Sequence, residues 1–227
     1  GREEVRQLII NGAAEIVRYY DVDGVHIDDY FYPTRDAAFD RASYLNQTAY
    51  KDIASFRRGS LNKLVSGIYS AVKAENPKVL FGVSPAGNLS NVRADYADVD
   101  TWLSQEGYLD YIMPQIYWGL EYGKYSFDTV YNSWSSLVKL DSIRFIPGMT
   151  LSNAVEGFVG NSTSEWNDNR DVLKRSLEYA YKFGNCSGFS LFSLGSMMNC
   201  NNGEPTEATL EEMDNMLDFA LLIPSNK

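Results

Sequence analysis

DVDGVHIDDYFYP, residues 21–33, carries the reading of this chain. A turn-prone Asp-Val-Asp-Gly leads into a short run of β-formers that predicts a strand over 24–29. Side chains alternate along a strand, so Gly24, His26 and Asp28 share one face and Val25, Ile27 and Asp29 the other. Two carboxylates, Asp28 and Asp29, fall where the strand stops. Adjacent carboxylates are costly there unless paired, hydrogen-bonded or solvated. In parallel α/β folds, chemistry gathers at the carboxyl ends of strands.

Working outward, helical and strand signals alternate. Val5, Leu8, Ile9, Ala13, Ile16 and Val17 recur near helical spacing and predict a helix over 3–20. After the first strand, the pattern predicts a long helix over 46–75, ended by Asn76-Pro77. Strands are predicted at 78–84 (KVLFGVS), 110–117 (DYIMPQIY), 143–149 (IRFIPGM) and 188–194 (GFSLFSL). Helices are predicted at 95–107, 127–140, 165–183 (closed by Gly184) and 206–222. Five strands, each followed by a helix, make an α/β chain with a parallel sheet. Residues 1–227 read as one domain without linker, repeat or low-complexity tract. A closed (β/α)8 barrel needs eight strands and about 250 residues. The chain is therefore either a barrel lacking three strands on its N-terminal side or an open five-stranded sheet. Gly1 ahead of a helical run reads as a cleavage remnant.

Composition narrows the function classes. A 44% hydrophobic share over 227 residues is enough for a sizeable core. The net charge of −10 excludes a phosphate-backbone binder, which needs Lys/Arg patches. No apolar run reaches membrane-spanning length, and no charged-then-apolar leader opens the chain. One histidine and two cysteines, without CxxC or HExxH spacing, speak against a zinc site, and no phosphate-cradling glycine loop occurs. No metal or cofactor is expected. Cys186 and Cys200 either pair with each other or stay as two buried thiols. The sequons at Asn46, Asn88, Asn161 and Asn185 are taken as chance. The 16 Tyr, 11 Phe and 4 Trp serve equally a large core or a sugar cleft, whose ligand has apolar C–H faces and a polar rim.

Glycosidic hydrolysis needs one carboxyl to protonate the leaving oxygen and a second as nucleophile or general base. Asp28 and Asp29 are the first candidates. Tyr30, Phe31 and Tyr32 follow at once and are placed to wall a sugar site. His26 either orients Asp28, binds a sugar hydroxyl, or is a satisfied interior histidine. In the third strand Met113, Gln115 and Tyr117 share a face, with Trp118 next. Gln is an unusual core residue, so Gln115 and Tyr117 are assigned to sugar hydroxyls and Trp118 to stacking on a ring. Ser84 and Asn88, at the end of the second strand, are further hydroxyl binders. The second carboxylate is Glu121 within this chain, or Asp29 itself, or a residue on strands outside it. Glu106 belongs to a turn before the third strand.

These strings resemble a known family. DGVHIDDYFYP is similar to the signature of glycosyl-hydrolase-like family 10. FGVSPAGN (81–88) resembles that family's FGxSPxG strand end, and DTWLSQEGYLDYIMPQIYW (100–118) its W-x-x-EGxxDYxxPQxYW block. GFSLFSLGSM (188–197) resembles its last-strand block more loosely. The resemblance implies a (β/α)8 barrel acting on glycans, with this chain supplying about strands 4–8. It also implies a bacterial polysaccharide substrate such as cell-wall glycan, and an extracytoplasmic location. Asp28 also matches the nucleophile of the DGFRxD-like strand of amylase-type enzymes. Tyr30 stands where family 18 chitinases carry their acidic Glu, which argues against substrate-assisted chemistry.

The leading expectation is a glycoside hydrolase of the partial-barrel class, with a carbohydrate substrate and no nucleic-acid or membrane partner. The alternative is a non-catalytic carbohydrate-binding domain of the same fold. A metal-dependent deacetylase is disfavoured by the single histidine. Open strand edges also lead to the expectation that the isolated piece self-associates and is inactive.

Overall fold

The computed structural model describes residues 1–29, 31–154, 163–183, 185–198 and 204–223. These divide into two compact units, one of residues 1–113 and 137–144, the other of 114–136 and 145–227.

The first unit begins with α1 (Glu3–Tyr19) and β1 (Gly24–Asp28), close to expectation. The loop after β1 holds a five-residue helix, α2 (Arg41–Leu45). The long helix, α3 (Ile53–Glu75), starts seven residues later than its pattern predicts. Asp52 decides this: its carboxylate accepts the Ser55 N–H at 2.7 Å and caps the first turn. β2 (Leu80–Ser84) pairs in parallel with β1 and with β3 (Tyr111–Ile112). The faces of β2 divide as a half-wound barrel requires. Phe81 and Val83 are fully buried beneath the helices, beside Val65, Ile68 and Val72 of α3. Gly82 and Ser84 lie on the opposite face, in register with His26 and Asp28.

The helix predicted over 95–107 does not form. Two short ones take its place, α4 (Leu89–Ala94) and α5 (Val99–Trp102). Tyr96 between them has φ of 64°, a left-handed conformation that no α-helix continues through. β3 is also shorter than predicted, because Pro114 has no N–H to extend the ladder.

The second unit contains α6 (Phe127–Ser135). The strand predicted over 143–149 is two segments, β4 (Arg144–Phe145) and β5 (Gly148–Thr150), separated by Ile146-Pro147. Arg144, which belongs to the first unit, donates its N–H to Asp110 O at 2.9 Å. The helix predicted over 165–183 is likewise two, α7 (Thr163–Asp168) and α8 (Val172–Phe183). The backbone between them is held from outside the helix, since Asn215 Nδ2 donates to Arg170 O at 2.7 Å. β6 (Ser190–Phe192) runs parallel to β5, with Gly148 opposite Ser190 and Thr150 opposite Phe192. α9 (Leu194–Met197) and α10 (Glu207–Ala220) complete the described residues. Gly184 and Cys200 lie outside them; Cys186 is a free, half-buried thiol whose Sγ donates to Gly188 O. The core of this unit is aromatic and aliphatic: Phe127, Tyr131, Trp134, Phe145, Met149 and Leu177 are all buried. No helix among the described residues is long and apolar enough to cross a membrane.

Candidate active site

In the first unit the inner sheet face forms two rows. His26, Gly82 and Tyr111 lie side by side across β1, β2 and β3. One row toward the carboxyl ends stand Asp28 and its partner Ser84, with the Met113 N–H bonded to Val83 O beside them. Asp28 is exposed and Ser84 buried. Asp28 Oδ1 accepts the backbone N–H of Asp29 at 2.9 Å, which fixes the carboxylate at the strand end. Strand alternation places His26 and Asp28 on one face, and the register of β1 with β2 sets Ser84 beside Asp28. Asp29, half-buried, is the next residue, just past the end of β1.

His26 Nδ1 and the Tyr111 hydroxyl are 2.9 Å apart, with the two rings nearly parallel at 6°. His26 is exposed overall, yet desolvation of its charged form holds the imidazole below the ordinary histidine range, against the opposing pull of the Asp28 carboxylate. Burial, aided by the negative Asp110, raises the Tyr111 phenol. Tyr111 is a site-facing residue that strand alternation through Met113 could have flagged.

Two expected binders have other tasks. Tyr32 does not wall a cleft: it is buried, and its hydroxyl donates to the buried carboxylate of Asp40. Asp40 in turn pairs with Arg57, whose guanidinium lies 4.9 Å from the ring centroids of both Tyr32 and Tyr96. Phe31 packs on the buried Trp102. Phe31 and Tyr32 therefore anchor the segment after Asp29 rather than face a cleft. Asn88 caps α4, accepting the Ser90 N–H at 2.9 Å, so its carbonyl oxygen is engaged. Tyr30 lies outside the described residues.

In the second unit, Gln115 bridges Gly148 at the start of β5. Tyr117 stacks on Phe192 at the end of β6, centroids 5.8 Å apart, and its carbonyl accepts from Asn153 Nδ2 at 3.1 Å. Gln115, Tyr117 and Trp118 are all half-buried. Trp118 stacks against Tyr125 at 5.6 Å and Tyr122 at 6.5 Å, a broad aromatic surface. The loop that carries it is held from beneath by Glu165, only 2% exposed. That carboxylate accepts the N–H groups of Leu120 and Glu121, both at 3.0 Å, and pairs with Arg175 at 3.2 Å. A Cβ on Gly119 would stand 1.9 Å from Glu165 Oε2, so only glycine fits there. Glu121 also pairs with Arg175, at 3.4 Å. The Glu121 side chain is 62% exposed, so this is a surface pair on the loop that carries Trp118. Glu165 and Arg175 carry no motif, and nothing in sequence spacing points to them. Among the described residues no group of three or more His, Cys, Asp or Glu is placed to hold a metal ion.

Residues 1–168 match the family model described as glycosyl hydrolase-like 10. This chain belongs to that family. The relatives agree. It is 34% identical over 196 residues to "Glycosyl hydrolase YngK" of Bacillus subtilis, covering 77% of this chain and 38% of that protein. It is 32% identical over 212 residues to "Glycosyl hydrolase DigH" of Escherichia coli K12, covering 85% of this chain and 48% of that protein. The chain thus spans less than half the length of either relative. Among solved structures it is similar to a thermostable mutant of a xylanase from Cellvibrio japonicus. The TM-score is 0.58 at 12% identity, over 94% of this chain and 71% of that one. A xylanase A of P fluorescens subsp. cellulosa in complex with xylopentaose gives 0.57 at 13% identity, over 95% and 70%. At such identities the likeness shows the fold alone, a (β/α)8 barrel, of which this glycosyl hydrolase-like 10 chain forms a part.

Proposed function

We propose that this chain supplies catalytic and sugar-binding residues of a glycoside hydrolase that cleaves a polysaccharide, with bacterial cell-wall glycan as its substrate class. The observation that carries the reading is the position of Asp28. It is an exposed carboxylate at the carboxyl end of a parallel strand, on the inner face, in a family named for glycoside hydrolysis. Asp28 acts on the anomeric centre as nucleophile or general base, and Ser84 and His26 bind sugar hydroxyls beside it. Gln115, Tyr117 and Trp118 form the sugar-contacting set of the second unit, with the Trp118 ring as a stacking surface. The partner carboxylate is Glu121, exposed on the Trp118 loop, or Asp29, or a carboxylate outside residues 1–227. Its separation from Asp28 sets the outcome: about 5–5.5 Å for retention and 6.5–9.5 Å for inversion. A wall substrate places the protein outside the cytoplasm.

The test is glycan cleavage by the full-length protein on peptidoglycan, with xylan and mannan as controls and products read by mass spectrometry. Asp28→Asn is expected to lower the rate by roughly three or more orders of magnitude while circular dichroism stays unchanged. Activity within tenfold of wild type would remove Asp28 from the chemistry.

A further inference from the structure

The His26–Gly82–Tyr111 row is built more tightly than sugar binding by His26 alone requires. Tyr111 reaches across the sheet because Gly82 has no side chain: a Cβ there would stand 2.3 Å from the Tyr111 ring. The phenol meets His26 at Nδ1, 2.9 Å away. A neutral imidazole carries one N–H and one bare nitrogen, and the hydrogen bond made by one nitrogen settles which is which. A protonated phenol has a hydrogen to place, and Nδ1 is the acceptor the described residues offer it. His26 and Asp28 lie two positions apart on one face of β1.

We propose that Tyr111 is a positioning residue for the glycan site: its hydroxyl donates to His26 Nδ1 and holds the imidazole as the Nε2–H tautomer, leaving one N–H donor on the face that carries Asp28. The inference rests on the glycoside-hydrolase reading for its purpose, but the tautomer stands independently of it. Gly82 is the enabling residue, because any side chain there displaces the ring that makes the bond. The low position of the His26 titration and the raised Tyr111 phenol agree with a neutral acceptor and a protonated donor.

The test uses 15N-histidine-labelled protein, with the His26 signals identified by their loss in His26→Gln. Long-range proton–nitrogen correlation at neutral pH reports which ring nitrogen is protonated. The expected result is a bare Nδ1 in wild type, its resonance moved by Tyr111→Phe and, separately, by Gly82→Ala, which keeps the hydroxyl but shifts the ring. A protonated Nδ1, or a resonance indifferent to both substitutions, overturns the tautomer assignment. The second arm is a double-mutant cycle on the affinity of the Asp28→Asn protein for soluble peptidoglycan fragments, measured by calorimetry. Tyr111→Phe and His26→Gln are each expected to weaken binding about tenfold, and the double variant no further than His26→Gln alone. Additive losses mean that Tyr111 does not act through His26, and overturn the positioning role. Absence of any glycan binding in the Asp28→Asn parent defeats the functional reading, while the nitrogen spectra still decide the pair.

Discussion

Replacing Arg57 by Met tests how the segment following Asp28 and Asp29 is held. The guanidinium is wholly buried and the Asp40 carboxylate 4% exposed. Nη2 donates to Asp40 Oδ1 at 2.6 Å and to Asp36 O at 2.6 Å, and Nε lies 3.1 Å from Oδ2. Nη1 adds the Tyr96 hydroxyl at 3.0 Å. Methionine fills a similar volume but leaves Asp40 with the Tyr32 hydroxyl as its one polar partner among these groups. Removing one member of a buried pair costs about 3–5 kcal/mol, because an uncompensated charge stays behind. The two facing rings lose about 1–2 kcal/mol more of cation–π attraction. Burial alone would raise the Asp40 carboxyl; the bonds from Arg57 and Tyr32 together bring it below the ordinary range. A depressed carboxylate contributes stability above its unfolded pKa and loses it as pH falls through the folded value. In the variant burial, Tyr32 and the N-terminal ammonium remain but the Arg57 bonds are gone, so Asp40 protonates more readily and the penalty fades as pH falls. Urea unfolding should therefore show a loss of about 4–7 kcal/mol at pH 7, roughly 1.3–3.5 M in midpoint for a slope of about 2–3 kcal/mol/M. The loss should be smaller at pH 4.5. Arg57→Met with Asp40→Leu should recover part of it. A loss below about 1 kcal/mol, or an equal loss at both pH values, would refute the reasoning.

Glu212 of α10 is fully buried, with Oε1 accepting the Leu173 N–H at 2.6 Å and Oε2 unpartnered among the described residues. Burial pushes its carboxyl up to about 7, so wild-type stability should fall as pH rises from about 4.5 to 7. Glu212→Gln should flatten that slope, a difference on the order of 2–3 kcal/mol; parallel pH–stability curves would exclude it. Gly119→Ala drives a methyl into Glu165, and should cost about 2–4 kcal/mol in thermal or urea unfolding. An unchanged melting temperature would show that the loop is not held from beneath. Trp118→Ala should weaken oligosaccharide binding by about 1–3 kcal/mol in calorimetry, with little change in melting temperature; the opposite pattern assigns Trp118 to packing.

Periodicity along the chain was enough for the alternation of helix and strand, the end of β1 at its carboxylates, and the sharing of one face by His26 and Asp28. These follow from periods of two and 3.6 residues, which depend on neighbours in the chain. Boundaries failed where a single residue outweighed the pattern: the Asp52 cap, the left-handed Tyr96, and the prolines at 114 and 147. Only the tertiary structure decided what the polar side chains do. Tyr32 reads as a cleft wall beside Tyr30, yet Arg57, 25 positions away, draws it inward. Glu121 reads as a loop carboxylate, and only the fold brings Arg175, 54 positions away, to 3.4 Å from it. Tyr111 is 85 residues from His26, and only the register of β1, β2 and β3 sets their rings side by side. Such pairings leave no periodic trace in the chain. They arise where strand register and close packing force buried charges and hydroxyls to find partners, because an unpaired polar group costs more in the interior than at the surface.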